Sequence, residues 1–192
     1  MTDLSVPTSD FSLELQKGFG DLSYSNKHGN HVLFATTTNL MAVMTKLKNE
    51  FGFNMLLDVC GVDNLQRPKT EWSHGKRFES VYHLLNMQNH QRVRVRVPVD
   101  ADGGEIVPSV ISLWKAADWF EKEAWDMYGV KFNHHPDLKR ILTDYGFEGH
   151  PLRKDFPLTG YKEVRYDLEQ KKVIYEPVLL EQEFRNFDFT SP

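Results

Sequence analysis

The sequence predicts an α+β fold, with a mainly antiparallel sheet packed with helices and followed by a long extended C-terminal tail. Three observations carry this. Two stretches read as strands, MLLDVCGVD by its continuous apolar run and QRVRVRVPV by strict alternation. Between the strand-like stretches of the first half, Leu40, Val43, Met44, Leu47 and Phe51 recur at helical spacing. Finally, the last fifty-odd residues change in kind: five of the nine prolines lie from Pro136 onward, among many aromatics.

Taken in order, residues 8–17 predict a short helix capped by Thr8 or Ser9, with Phe11 and Leu15 on one face. GDLSYS and NHVLFATT read as two strands parted by a polar turn. Asn39 is placed to cap the helix that begins at Leu40, and Gly52 to stop it. MLLDVCGVD (55–63) is a buried strand, and 64–76, with Pro68 and Gly75, is a loop. RFESVYHLLNM and QRVRVRVPV form a hairpin in which Val93, Val95 and Val97 face the core and Arg92, Arg94 and Arg96 the other side. Three alternating arginines fit either a phosphate site or a solvated sheet face partly paired with acidic neighbours. The acidic total favours the second.

A second helix is expected from Ala117 to Tyr128, stopped by Gly129. Ala116, Ala117, Phe120, Ala124, Met127 and Tyr128 share an apolar arc, while Asp118, Glu121, Lys122 and Asp126 fall opposite. Trp125 breaks the charged arc and Glu123 sits at the edge of the apolar one. Either Trp125 is half-covered by its neighbours, or this face too is buried, against another protein. No periodic apolar face is read after the helix. Tyr145, Phe147, Phe156, Tyr161, Tyr166, Tyr175, Phe184, Phe187 and Phe189 nonetheless make the region richer in aromatics than a disordered tail. The division expected is a globular domain over 1–130 and, over 131–192, an aromatic-rich loop and tail laid on partners.

The chain has 192 residues and a formal charge of −4, which sets it apart from general nucleic-acid binders. No run reaches the ~18 apolar residues of a membrane span, and no targeting segment is read at MTDLSVPTSD. The single cysteine, Cys60, excludes a disulfide framework and a cysteine-ligated cluster held by this chain alone. In its apolar run it reads as a structural thiol. His134, His135 and Asp137 have no metal-ligand spacing, and neither GFEG nor DGGE has the lysine or the context of a phosphate loop. No catalytic, cofactor or metal site is assigned.

The stretch from Ala117 to Tyr161 resembles the signature of the thirty-kilodalton subunit family of respiratory complex I (NADH–quinone oxidoreductase), whose members are designated C. EKEAWDMYG is similar to that family's Glu-Arg-Glu helix followed by Asp, Met, an aromatic and Gly. HPDLKRILTDYGFEGHPLRKDFPLTGY matches its longest motif, and EVRYD and QEFRNFDFTSP extend the match to the C-terminus. Lys122 stands where the family usually has Arg, Tyr128 where Phe is common and His134 where Gly is expected. Lysine lacks arginine's planar fork.

The resemblance implies a non-catalytic subunit of the peripheral arm, packed against the subunit that forms the quinone pocket. FMN and Fe–S clusters would lie in partner subunits, in an assembly that passes electrons from NADH to quinone and translocates protons. The implied site is the cytoplasmic face of the bacterial inner membrane, or the mitochondrial matrix side for an organelle-encoded chain. The partner interface is assigned to Glu121, Glu123, Trp125, Asp126, His135, Asp137, Arg140, Asp144, Tyr145, Arg153, Lys154, Asp155, Phe156, Arg165, Tyr166 and Phe187. Among these, Arg153, Lys154 and Asp155 are expected to fix register and Tyr145 and Phe156 to anchor. Two alternatives stand: the equivalent subunit of a related membrane-bound hydrogenase, and a small stand-alone enzyme using Asp137, His150 and Asp155 of the 134–156 loop.

Overall fold

The structure, a computed structural model, describes residues 8–71, 73–180 and 182. Helix α1 (Thr8–Gly18) buries Phe11 and Leu15. Strands β1 (Ser23–Lys27) and β2 (Asn30–Phe34) form an antiparallel hairpin. Its two turn residues, His28 and Gly29, both have positive φ (54° and 76°), which suits the primed turns that match strand twist. Helix α2 (Leu40–Asn49) buries Leu40, Val43, Met44 and Leu47 as their spacing requires.

Asn39 does not cap α2 with its side chain. Its Oδ1 turns back to accept the Thr36 N–H at 2.8 Å, so the turn before the helix outcompetes the cap.

Strands β3 (Met55–Asp63), β4 (Phe78–Leu85) and β5 (Arg92–Val99) complete a five-stranded sheet of order β1-β2-β5-β4-β3. Every neighbouring pair is antiparallel except β2 and β5. That parallel junction follows from α2, which carries the chain from β2 to the far edge of the sheet. A parallel pair needs such a crossover, and β4 and β5 then fill the gap.

Leu33, Val59, Tyr82, Leu84, Val93 and Val95 line the inner face and meet Phe11, Leu15, Leu40, Met44 and Leu47 in one core. Each fully buried Leu contributes about 1.5–3 kcal/mol. The short strands β6 (Ile106–Pro108) and β7 (Lys131–Asn133) pair in parallel and flank helix α3 (Ala117–Tyr128), which packs on β3. Gly61 permits that approach, because a Cβ there would strike the Tyr128 ring. The fold is thus α+β, a mixed and mainly antiparallel sheet packed against three helices.

The chain forms two compact units, the first closing at Asp155 and the second beginning at Phe156. In the second unit, β8 (Lys162–Asp167) and β9 (Lys172–Pro177) pair antiparallel. This hairpin corrects the reading of the tail as lacking an apolar period. Val164 lies opposite Tyr175 and Tyr166 opposite Val173, so the four share one face. Each strand contributes only two apolar residues to that face, and the period is clear only once the strands are paired. Phe184, Phe187 and Phe189 lie outside the described residues.

A self-bound loop and an open hairpin as the candidate docking surface

The charged arc of α3 is not a solvated face: Glu121, Lys122 and Asp126 are all buried. What buries Lys122 and Asp126 is the chain's own 135–150 segment, which corrects the expectation that only the apolar arc would be covered within this chain.

Asp126 is the centre of that packing. Its Oδ2 accepts the N–H groups of Ile141, Leu142 and Thr143 at 3.0, 2.8 and 3.1 Å. Its Oδ1 accepts the Thr143 hydroxyl at 2.7 Å and the Arg140 guanidinium at 2.8 Å. Burial alone would push the carboxyl up, but these donors outweigh it and hold the group well below the usual carboxylate range. Arg140 also donates to the Gly149 carbonyl at 2.8 Å and lies over the rings of Trp125 and Phe147. Trp125 is half-buried accordingly.

The same segment satisfies the carbonyls that the end of α3 leaves free. His150 Nδ1–H donates to the Asp126 carbonyl (2.9 Å), the Leu152 N–H to Met127 (3.1 Å) and Arg153 Nε to Tyr128 (2.8 Å). The His150 imidazole is held below its ordinary range by burial and then by Arg153 and Arg140. Gly129 turns the chain at φ 80°, and a Cβ there would press within 2.5 Å of Arg153.

At the start of the segment, the His135 side chain is fully buried and its Nε2–H donates to the Asp118 carbonyl at 3.1 Å. His135 Nδ1 accepts the Asp137 N–H at 3.1 Å, and Asp137 pairs with Lys139 at 2.8 Å. Lys122 bridges Asp118 (2.9 Å) and Asp137 (3.8 Å) as a point charge, without needing the fork of an arginine. His134 takes φ 57°, the left-handed conformation that makes glycine the expected residue there.

Arg153, Lys154 and Asp155 engage the edge of the sheet. Asp63, fully buried at its side chain, binds Arg77 at 2.7 Å and the Lys154 N–H at 2.8 Å. Arg77 reaches Asp155 at 2.8 Å, and Arg153 reaches Asp102 at 2.7 Å. Both guanidinium groups lie over Phe78, at 4.5 and 4.6 Å from its centroid. Asp63, Arg77 and Asp102 were not singled out from sequence, because the pairings span up to 91 residues and no local pattern marks them.

Glu121 differs from the other carboxylates. It is fully buried, its Oε1 accepts the Val110 N–H at 2.8 Å, and Oε2 has no partner among the described residues. Burial pushes its carboxyl up to about 7, against the hydrogen bonds from Ser109 and Val110. Glu123 is exposed. Cys60 reads as inert, its thiol pushed up to about 11 by burial and by Asp58. Asp144 accepts the Tyr145 N–H at 2.8 Å and leaves that ring 98% exposed.

In the second unit Phe156 stacks edge-on with Tyr161 at 5.5 Å. Arg165 pairs with Glu176 at 2.9 Å on one face of the hairpin. On the other, Val164, Tyr166, Val173 and Tyr175 are each more than half exposed. Among the described residues, no three His, Cys, Asp or Glu side chains converge as a metal site, and no helix is long and apolar enough to cross a membrane.

Residues 33–162 match the family described as the 30 Kd subunit of respiratory-chain NADH dehydrogenase. The chain is 56% identical over 169 residues to the NADH-quinone oxidoreductase subunit designated C in Paramagnetospirillum magneticum, covering 87% of this chain and 80% of that protein. It is also 56% identical over 168 residues to the counterpart designated C 1 in Rhizobium meliloti, covering 86% and 79%. A chain in the structure of the membrane-bound sulfane sulfur reductase, an archaeal respiratory membrane complex, shares the fold at TM-score 0.62 and 22% identity, over 78% of this chain and 86% of that one. With a family model matched over most of its length and relatives more than half identical to it, the chain belongs to the 30 Kd subunit family of the respiratory-chain NADH dehydrogenase, the NADH–quinone oxidoreductase of complex I.

Proposed function

We propose that the chain is a non-catalytic scaffold of the peripheral arm of complex I, seated against the subunit that forms the quinone pocket. The assembly moves electrons from NADH through FMN and Fe–S clusters held in other subunits to quinone, coupled to proton translocation. This chain supplies shape and contact, and works on the cytoplasmic face of the inner membrane.

The observation that carries this reading is the β8–β9 hairpin. An isolated two-stranded hairpin is at best marginally stable in water, and this one leaves an apolar face of two tyrosines and two valines open. Such a face fits burial against another protein, where aromatics dominate the contact energy. Tyr145 and the exposed Trp119 and Leu142 add contact area on the first unit. The charged residues of 135–155 act one step back, by holding that unit's surface in shape.

The test is affinity capture of the tagged full chain from gently solubilised native membranes, with NADH–quinone turnover and subunit masses as readouts. Recovery of a flavin- and cluster-containing assembly supports the proposal, provided that the doubly substituted Tyr166→Ser, Val173→Ser chain is folded but recovers none. Recovery of the chain alone, or equal recovery by the variant, overturns it.

A further inference from the structure

The outer face of the sheet carries Arg92, Arg94 and Arg96 in one row along β5, and the three are not equivalent. Arg96 donates through Nε and a terminal nitrogen to the two carboxylate oxygens of Glu79, at 2.6 and 2.7 Å. Glu79 is fully buried and also accepts Asn64 Nδ2 at 2.8 Å, and the Arg96 guanidinium lies over Phe34. Its charge is therefore paired within the chain.

Arg94, about 7 Å further along the strand, is half-buried, and its Nε is buried with no acceptor among the described residues. A buried charged donor without an acceptor is costly. The register places His83 of β4 directly beside Arg94, and Asp58 of β3 beside His83. Where this row meets the end of the sheet there is a cleft of about 190 Å³, lined by Asn30, His31, Leu57, His83, Arg92 and Arg94. The pairing of β3 with β4 slips at Leu57, a bulge at the rim of the cleft, and bulges recur beside functional sites.

We propose that this cleft binds a free small oxyanion, phosphate or carboxylate in kind, with Arg94 and Arg92 as its charged donors and His83 beside it. A guanidinium offers paired N–H groups that match two oxygens of such an anion. The volume is below that of sites for drug-sized ligands, which favours a small anion, and the net charge of −4 argues against a polyanion. His83 reports on occupancy. Burial first, and then the Arg94 charge, holds its imidazole below the ordinary range, with Asp58 opposing. The charged and titratable groups around it are Asp58 on β3, Arg94 and Arg92 on β5 and, lining the same cleft from β2, His31; the β2 residue in the Arg94 row is Val32. An anion on Arg94 offsets the repulsion and raises the His83 titration midpoint.

The test is a titration of the labelled full chain with inorganic phosphate against chloride at constant ionic strength, and separately with acetate. NMR follows the Arg94 Nε–H and the His83 ring. The expected result is a saturable one-site shift with an upward move of the His83 midpoint. Affinity should weaken about tenfold in Arg94→Gln, less in the exposed Arg92→Gln, and stay unchanged in Lys17→Gln. Phosphate binding tighter than acetate marks a tetrahedral ligand, and the reverse a carboxylate. A linear, unsaturable shift in the unsubstituted chain, or equal affinity in Arg92→Gln and Lys17→Gln, overturns the proposal whether or not Arg94→Gln folds.

Discussion

Residues 135–155 and residues 156–180 follow one another along the chain, yet they meet their bonding needs in opposite ways. The first segment is mostly irregular backbone, and its polar groups are met inside the chain: Asp126 takes three N–H groups, and His150, Leu152 and Arg153 close the end of α3. The second has a regular ladder, but four of its apolar side chains are more than half exposed. Charge-assisted bonds give the first segment a fixed shape. The second leaves Val164, Tyr166, Val173 and Tyr175 each more than half exposed, the face that the proposed function assigns to a partner. Motif residues that look alike in sequence therefore divide into those that shape the surface and those that form it.

The largest effect on folding is expected at the clamp. Asp126→Ala leaves Arg140 half-buried without its carboxylate and strands three N–H groups and a hydroxyl, so chemical denaturation should show a loss of about 3–5 kcal/mol. A loss below about 1 kcal/mol would mean that water replaces the carboxylate freely, and the two segments would then differ less than described.

Glu121→Gln tests a buried carboxyl of the opposite kind. Its folded value is raised to about 7 from an ordinary 4.5, so the unfolded chain releases this proton first as pH rises. Stability from this group is full below about 4.5 and is lost as pH climbs to 7. The glutamine variant should therefore lack this pH dependence and gain on the parent by up to about 3 kcal/mol at pH 8. Equal stability profiles between pH 5 and 8 would refute the raised value.

Gly129→Ala should cost about 2–3 kcal/mol in thermal or chemical unfolding, since it adds a left-handed penalty to a clash with Arg153 and His150. Its effect belongs to the clamp side of the comparison. At the other end, Tyr166→Ser with Val173→Ser should change the unfolding of the first unit by less than about 0.5 kcal/mol. Assembly alone should suffer.

Much of the fold was legible because burial imposes a period. Val93, Val95 and Val97 alternate and face inward, and Leu40 to Leu47 mark the buried stripe of α2. The burial of Glu121 and Asp126 was not legible, since their helical positions read as a solvated arc until the loop that covers Asp126 and the Val110 N–H that meets Glu121 are known. Asp63, Arg77 and Asp102 left no sign either, because an ion pair between residues far apart in sequence has no local spacing. The position of His134 was partly legible: glycine was expected there, and the backbone does take the left-handed turn. The hairpin was missed because two apolar residues per strand are too few for a period of two to stand out in one strand alone.

The central claim is that 135–155 is complete within the chain whereas the β8–β9 hairpin awaits a partner. Amide hydrogen exchange on the free chain and on the assembled complex tests it most directly. The account predicts that Ile141, Leu142 and Thr143 are protected in both states, while the amides of 162–177 exchange fast in the free chain and slow sharply on assembly. Hairpin amides equally protected in both states, or 141–143 exchanging as fast as the free hairpin, would contradict it.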